Sequence, residues 1–165
     1  MGNQYSSVAL GREGARRSPR KPRAARVGAG EAWIDALIEL VWEVLTTFED
    51  WPSWNRLVHS MVTDGGATEG TVFRWKAGPG RITSTIVRVD APRGIAWTGR
   101  TLGIDALHVW RLHPECNRTF VRTEESYDGA VAKLFRRMVH RSLDDGLEQG
   151  LADLKAEAER RAAAT

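Results

Sequence analysis

Much that would assign a chemistry is missing from this 165-residue sequence. It holds a single cysteine, Cys116, so no internal disulfide can form, as suits a reducing compartment. No run approaches the roughly 20 apolar residues needed to cross a bilayer. The opening MGNQYSSVALGREGARR has no apolar core of the kind a secretory signal carries. A cytoplasmic protein without a transmembrane segment is therefore expected. The phosphate-binding G-x-x-x-x-G-K, a G-x-G-x-x-G after a strand, H-E-x-x-H and G-x-S-x-G are all absent. His59, His108, His113 and His140 lie far apart in sequence and lack metal-ligand spacing, so neither a metal nor a cofactor is expected.

Charge is unevenly spread. Residues 1–30 hold seven basic side chains (Arg12, Arg16, Arg17, Arg20, Lys21, Arg23, Arg26) against Glu13 alone. The whole chain is +3, which leaves −3 on residues 31–165. A mildly acidic compact part argues against a specific nucleic-acid surface. The arm is rich in Gly, Ser, Pro and Arg, and reads as a disordered basic segment over 1–30. One domain over 31–162 follows it.

Within that domain the hydrophobic period changes twice. Ala32–Ala36 reads as a short strand, and Leu37–Leu45 as a helix with Leu37, Leu40, Val41, Val44 and Leu45 on one stripe. Pro52 should end that helix near Asp50–Trp51, with Asp50 or Ser53 capping a second short turn around 54–57. Strands are expected at about 57–63, 70–77, 81–91, 94–101, 104–113 and 118–127, separated by short Gly, Pro and Asn turns. From Gly129 to about Arg160 a long helix carries Leu147, Leu151, Leu154 and Ala158 at helical spacing. Gly146 and Gly150 interrupt it, either to let the sheet approach or to leave space beneath.

A six-stranded meander with one apolar face and a long helix with one apolar stripe must cover each other. A strongly curved sheet gripping a single helix tends to leave a cavity. Alternation puts Phe73, Trp75, His108, Trp110, Thr123 and Glu125 on the inward face. If Leu112 pairs with Thr119, His108 lies opposite Thr123 and diagonal to Glu125. Trp75, Trp97 and Trp110 then form either an aromatic wall for a ligand or the core beneath the helix. In FEDWPSWN, Trp51 suits a plug against the sheet and Trp54 a cavity rim.

The run I34-D-A-L-I-E-L-V-W-E-V-L-T-T-F-E-D-W-P-S-W-N55 resembles the opening of the START-like (SRPBCC) superfamily. Gly70-Thr71, Ala91-Pro92, Ile95–Gly99 and Arg118-Thr119 through Gly129 resemble its polyketide cyclase/dehydrase and lipid-transport branch. Leu37 departs from it, standing where the family often has proline. The resemblance implies an α+β helix-grip fold: a curved antiparallel sheet of about seven strands around a long C-terminal helix, with two short helices after strand 1. It further implies binding or transport of a small hydrophobic, aromatic or polyketide-like ligand, without a cofactor. Trp54, Phe73, Trp75, Trp97, His108, Trp110, Thr123 and Glu125 would contact that ligand, with Arg100 at a rim. An enzyme of this family would be a cyclase, aromatase or dehydratase, with His108 and Glu125 as its acid–base pair. The alternatives are a wall histidine satisfied by Thr123 or Glu125, and an interaction module with a filled cavity.

Overall fold

The computed structural model of the protein describes the backbone of residues 26–77, 80–128 and 136–164, and the side chains of 28–77, 80–127 and 145–164. Seven strands form one antiparallel sheet: β1 (Arg26–Ile34), β2 (Val58–Thr63), β3 (Val72–Ala77), β4 (Gly80–Asp90), β5 (Gly94–Thr101), β6 (Ile104–Glu115) and β7 (Arg118–Asp128). Their order is β1-β7-β6-β5-β4-β3-β2, a meander from β2 to β7 with β1 added at the far edge. Among the described residues three helices complete the α+β helix-grip fold: α1 (Ile38–Thr46), α2 (Trp51–Trp54) and the C-terminal α3 (Arg136–Ala162). The helix start expected at Gly129 lies outside the described residues, as do residues 1–25 of the arm.

Strand β1 begins at Arg26, five residues before the expected onset of order at Glu31. Its first half, Arg-Val-Gly-Ala-Gly, carries too little apolar surface to read as a strand, yet it pairs residue for residue with β7 from Arg26↔Tyr127 to Ile34↔Thr119. At Gly30 an added Cβ would lie 3.3 Å from Leu151 Cδ2, so the missing side chain lets α3 lie close against this edge.

Between β1 and β2 the helical turns are arranged differently from the expectation. Leu37 is the N-cap residue of α1 and is 56% exposed, so it leaves the apolar stripe that Ile38, Val41, Val44 and Leu45 form. Its φ of −64° is the angle a proline ring imposes, which explains why leucine can stand at a proline position. Helix α1 stops at Thr46, and a 3-10 turn (Phe48–Asp50) leads directly into α2. Pro52 sits in the first turn of α2 and starts a helix rather than ending one, because the N–H it lacks has no helical acceptor there. Asp50 is the N-cap residue of α2 without a side-chain cap; its carboxylate accepts instead from Arg161 at 3.3 Å.

The hairpin joining β6 and β7 is tighter than the sequence suggests. Only Cys116 and Asn117 lie between the strands, with Cys116 at φ 52°. Leu112 therefore pairs with Val121 and Pro114 with Thr119, two residues from the expected register. A shift of two preserves which face each side chain takes. Sheet curvature has a local cause on β4. A bulge places Val87 as the extra residue between Ile86↔Trp97 and Arg88↔Ala96. Val87 and Arg88 both face solvent, and the inward phase resumes at Val89.

The packed core lies where α1 and the C-terminal half of α3 cover β1, β6 and β7. Ile34, Val41, Val44, Leu112, Val121, Leu154 and Ala158 are fully buried there. Polar anchors hold α3 in place. Lys155 Nζ donates to the Trp33 carbonyl, and Asp35 N–H donates to Glu159. Asp153, only 5% exposed, accepts from Arg56 N–H at 3.0 Å, from Arg56 Nε at 2.9 Å and from Gln149 Nε2 at 2.9 Å. No sequence pattern announces this clasp, since its partners are 97 residues apart. Asp153→Ala would orphan the Arg56 backbone N–H and is expected to cost about 2 kcal/mol of unfolding free energy. Arg56→Ala should cost less, because that side chain is 71% exposed and the backbone bond survives. Urea denaturation of the two variants checks the order; equal losses would refute it.

Candidate functional site

Six aromatic rings cluster where α1 and α2 meet the sheet. Trp51 is buried at their centre, with centroids 5.4 Å from Phe48, 6.3 Å from Trp54, 6.1 Å from Phe73, 5.9 Å from Trp75 and 5.7 Å from Trp97. Its indole N–H donates to the Leu45 carbonyl at 3.0 Å. Phe73 does not line a cavity as expected. It is fully buried and stacks on Phe48 at 4.6 Å, because the 3-10 turn brings Phe48 down onto β3.

Beyond this cluster the sheet and α3 separate and enclose a cavity of about 440 Å³. Trp54, Trp75, Trp97 and Trp110 line it, together with His108 and Glu125. Gly146 and Gly150 line it from the helix, and a Cβ added at either would meet nothing within 4 Å. Of the two roles open to these glycines, leaving space is the one observed. Thr101, Ala106 and Tyr127 also reach the cavity. The alternation of β5, β6 and β7 contains them, but aromatic and acid–base residues draw attention first. Arg100 lies on the other face of β5, 82% exposed and paired with Asp105 at 3.0 Å, because its neighbours Gly99 and Thr101 take the inward positions.

His108 is held between two tryptophans, with centroids 5.0 Å from Trp97 and 5.2 Å from Trp110. Its Nε2 and the Thr123 hydroxyl share a hydrogen bond of 2.7 Å, the donor depending on the tautomer. Burial lowers the His108 pKa to about 3, so the ring is neutral at neutral pH. Its cross-strand partner is Glu125, and Thr123 is the diagonal neighbour opposite Trp110, the reverse of the expected placement. The hydrogen bond nevertheless runs along the diagonal. Thr123 is fully buried behind the cavity wall and acts on His108 from there.

The Glu125 carboxyl has no hydrogen-bond partner among the described residues. Burial without compensation raises its pKa to about 7. Three further polar atoms are buried and unpartnered: the indole N–H groups of Trp54 and Trp110 and the Thr101 hydroxyl. Trp75 differs, since its N–H donates to Ser84 Oγ at 3.1 Å. The cavity is thus an apolar, aromatic container with one carboxyl near its protonation midpoint, and residues of its wall carry two unpartnered N–H donors and one unpartnered hydroxyl. Among the described residues no group of three His, Cys, Asp or Glu side chains could hold a metal ion, and no helix is long and apolar enough to cross a membrane.

Known structures share this fold. A hypothetical protein from Helicobacter pylori superposes with a TM-score of 0.73 at 18% identity, covering 91% of this chain and 99% of that one. The Zhui aromatase/cyclase from Streptomyces sp. R1128 gives 0.72 at 19%, covering 82% and 94%. A START superfamily protein from Mycobacterium smegmatis gives 0.64 at 12%, covering 84% and 97%. Identities this low speak for the fold alone, and no curated protein matches the chain in sequence. The family description "polyketide cyclase / dehydrase and lipid transport" matches residues 29–159. With that match across most of its length, the chain belongs to the polyketide cyclase/dehydrase and lipid-transport family.

Proposed function

We propose that the protein binds a small hydrophobic or aromatic ligand that carries hydrogen-bond acceptors, in the cavity between the sheet and α3. The observation that carries this reading is the pair of buried, unpartnered indole N–H groups on Trp54 and Trp110. A buried donor left unpaired costs about 1–3 kcal/mol, a cost that a carbonyl or phenol oxygen of a ligand would offset. The tryptophan faces supply rigid apolar contact for a planar ring system, and about 440 Å³ suits a molecule of a few fused rings. Titration with a planar polyphenol such as quercetin should quench tryptophan fluorescence saturably, whereas glucose should not. Trp110→Phe keeps an aromatic face, though a smaller one, and removes the donor, and is expected to weaken the polyphenol about fivefold. Absence of saturable quenching by polyphenols and fatty acids alike would defeat the reading.

An enzymatic reading of the same site is favoured by Glu125. A carboxyl titrating near pH 7 in an apolar cavity, beside the neutral His108 ring, can take and return a proton on a polyketide-like substrate. The similarity to an aromatase/cyclase is consistent with this chemistry. Glu125→Gln separates the two readings. A carrier keeps its full role with glutamine there, whereas a cyclase loses turnover of a synthetic poly-β-ketone while still binding it.

The Glu125 pKa is raised from 4.5 to about 7, so between these values the unfolded chain loses a proton that the folded chain keeps. Stability from this group is present at low pH and is lost as pH rises through 7. Glu125→Gln should therefore stabilise the fold by up to about 3 kcal/mol above pH 7 and by little below pH 4.5. Thermal unfolding across that range gives the answer, and a pH-independent increment would contradict it. Gly146→Ala and Gly150→Ala should each stabilise α3 by about 1 kcal/mol, since the added methyl meets open space. The same variants should bind the polyphenol more weakly. Higher stability with unchanged affinity would show that the ligand does not use that space.

A further inference from the structure

The outer face of the sheet divides into two electrostatic regions. Across β6, β7 and β1 the charges are paired: Arg111 with Glu124, Arg122 with Glu124 and Glu31, and Arg118 with Glu115. At the other side, where β3, β4 and β5 end, cations gather. Lys76 and Arg81 are direct cross-strand partners, and Thr83 is flanked by Arg74 on β3 and Arg100 on β5. All four cations are exposed. Arg100 is paired with Asp105; Arg74, Lys76 and Arg81 have no ion-pair partner among the described residues. Like charges directly opposite each other on an antiparallel pair destabilise it, so folding alone gives no reason to place Lys76 against Arg81.

Two other features converge on this end of the sheet. Leu102, at the tip of the β5–β6 hairpin, is 79% exposed and has φ 41°, followed by Gly103 at φ 77°. Two-residue hairpins of this kind favour Asn-Gly or Asp-Gly, and a leucine there pays backbone strain to stand in solvent. The tip adjoins the start of β4, since a Cβ on Gly80 would lie 3.3 Å from Thr101 Oγ1. The cavity reaches the same end through Ala77, Ile82, Thr101, Ile104 and Tyr127.

We propose that this end of the sheet, Arg74, Lys76, Arg81 and Arg100 with Leu102 at the tip, docks on an anionic lipid bilayer and sets the cavity against the membrane surface. Unpaired cations spread over a strand face match a plane of phosphates, and one exposed leucine beside them supplies apolar contact below the headgroups. Preference for a bilayer over an acidic protein rests on the reading of the cavity as a site for a hydrophobic ligand, since such a ligand concentrates in lipid. The net charge of residues 31–165 does not account for the patch, because they carry −3.

Vesicle sedimentation of the full chain, without added ligand, tests the proposal independently of the cavity. The protein is expected to bind mixed phosphatidylcholine–phosphatidylglycerol vesicles, to ignore pure phosphatidylcholine, and to release at high ionic strength. Lys76→Glu/Arg81→Glu should weaken binding by at least about tenfold. Leu102→Ser should weaken it severalfold while leaving the salt dependence in place. These side chains are exposed, so the variants should unfold at the wild-type temperature, which a thermal melt verifies. No binding to the anionic vesicles overturns the proposal, as does binding that the charge reversals leave intact, which would assign it to residues 1–25. Binding of poly-glutamate as tight as that of vesicles, with Leu102→Ser indistinguishable from wild type, overturns it in favour of an acidic protein. If vesicles fail but polyphenol quenching is saturable, only the docking surface is refuted. If vesicles bind and quenching fails, only the ligand reading is.

Discussion

Trp51 connects the parts of this molecule. Its ring lies within reach of five other aromatic rings contributed by the 3-10 turn, α2, β3 and β5. Its single polar atom is satisfied by the carbonyl of Leu45 at the end of α1. A large rigid side chain with no remaining polar demand can be buried without the cost that an unpaired donor imposes. Once it is seated, α1 and α2 are fixed against the sheet, Trp54 is turned toward the cavity, and Phe48 is pressed onto Phe73. Everything on the hollow side of the molecule is positioned relative to that wedge.

The domain therefore has two ends with different physical characters. Toward α1 and the last turns of α3, apolar side chains fill the space completely and the polar groups of Asp153 and Thr119 are bonded. Toward Gly146 and Gly150, glycines weaken the helix, a half-buried carboxyl faces the cavity without a partner among the described residues, and buried indole N–H groups have none either. Each of these features lowers stability, and together they mark a region shaped by something other than folding. The dense end supplies the stability that the hollow end gives up.

Much of this was legible in the sequence, and the reason is periodicity. Strand faces repeat every two residues, so Trp75, His108, Trp110, Thr123 and Glu125 could be assigned to the inner face from their outward neighbours alone. Register was not legible, because the tightness of the Cys116-Asn117 turn depends on one residue adopting a positive φ. That two-residue difference moved Glu125 opposite His108 while leaving both on the same face. The bulge at Val87 was hidden for a related reason: two outward residues in succession look like a fault in the pattern until the partner strand is seen. Phe73 carried the right face but the wrong neighbour, since inward direction does not tell core from cavity. The Asp153 clasp joins residues that no local pattern relates.

The distribution of anchors along α3 has a mechanical consequence. Among the described residues its tertiary polar contacts begin at Asp153 and continue through Lys155, Glu159 and Arg161. Among the described residues no such contact is made next to Gly146 or Gly150, and glycine lowers helix propensity at both. Over the described side chains the helix is a beam clamped from Asp153 onward, with a glycine-weakened stretch directly over the cavity. Occupants of different thickness would be accommodated by flexing there, while the clamped half and the wedge at Trp51 stay in register.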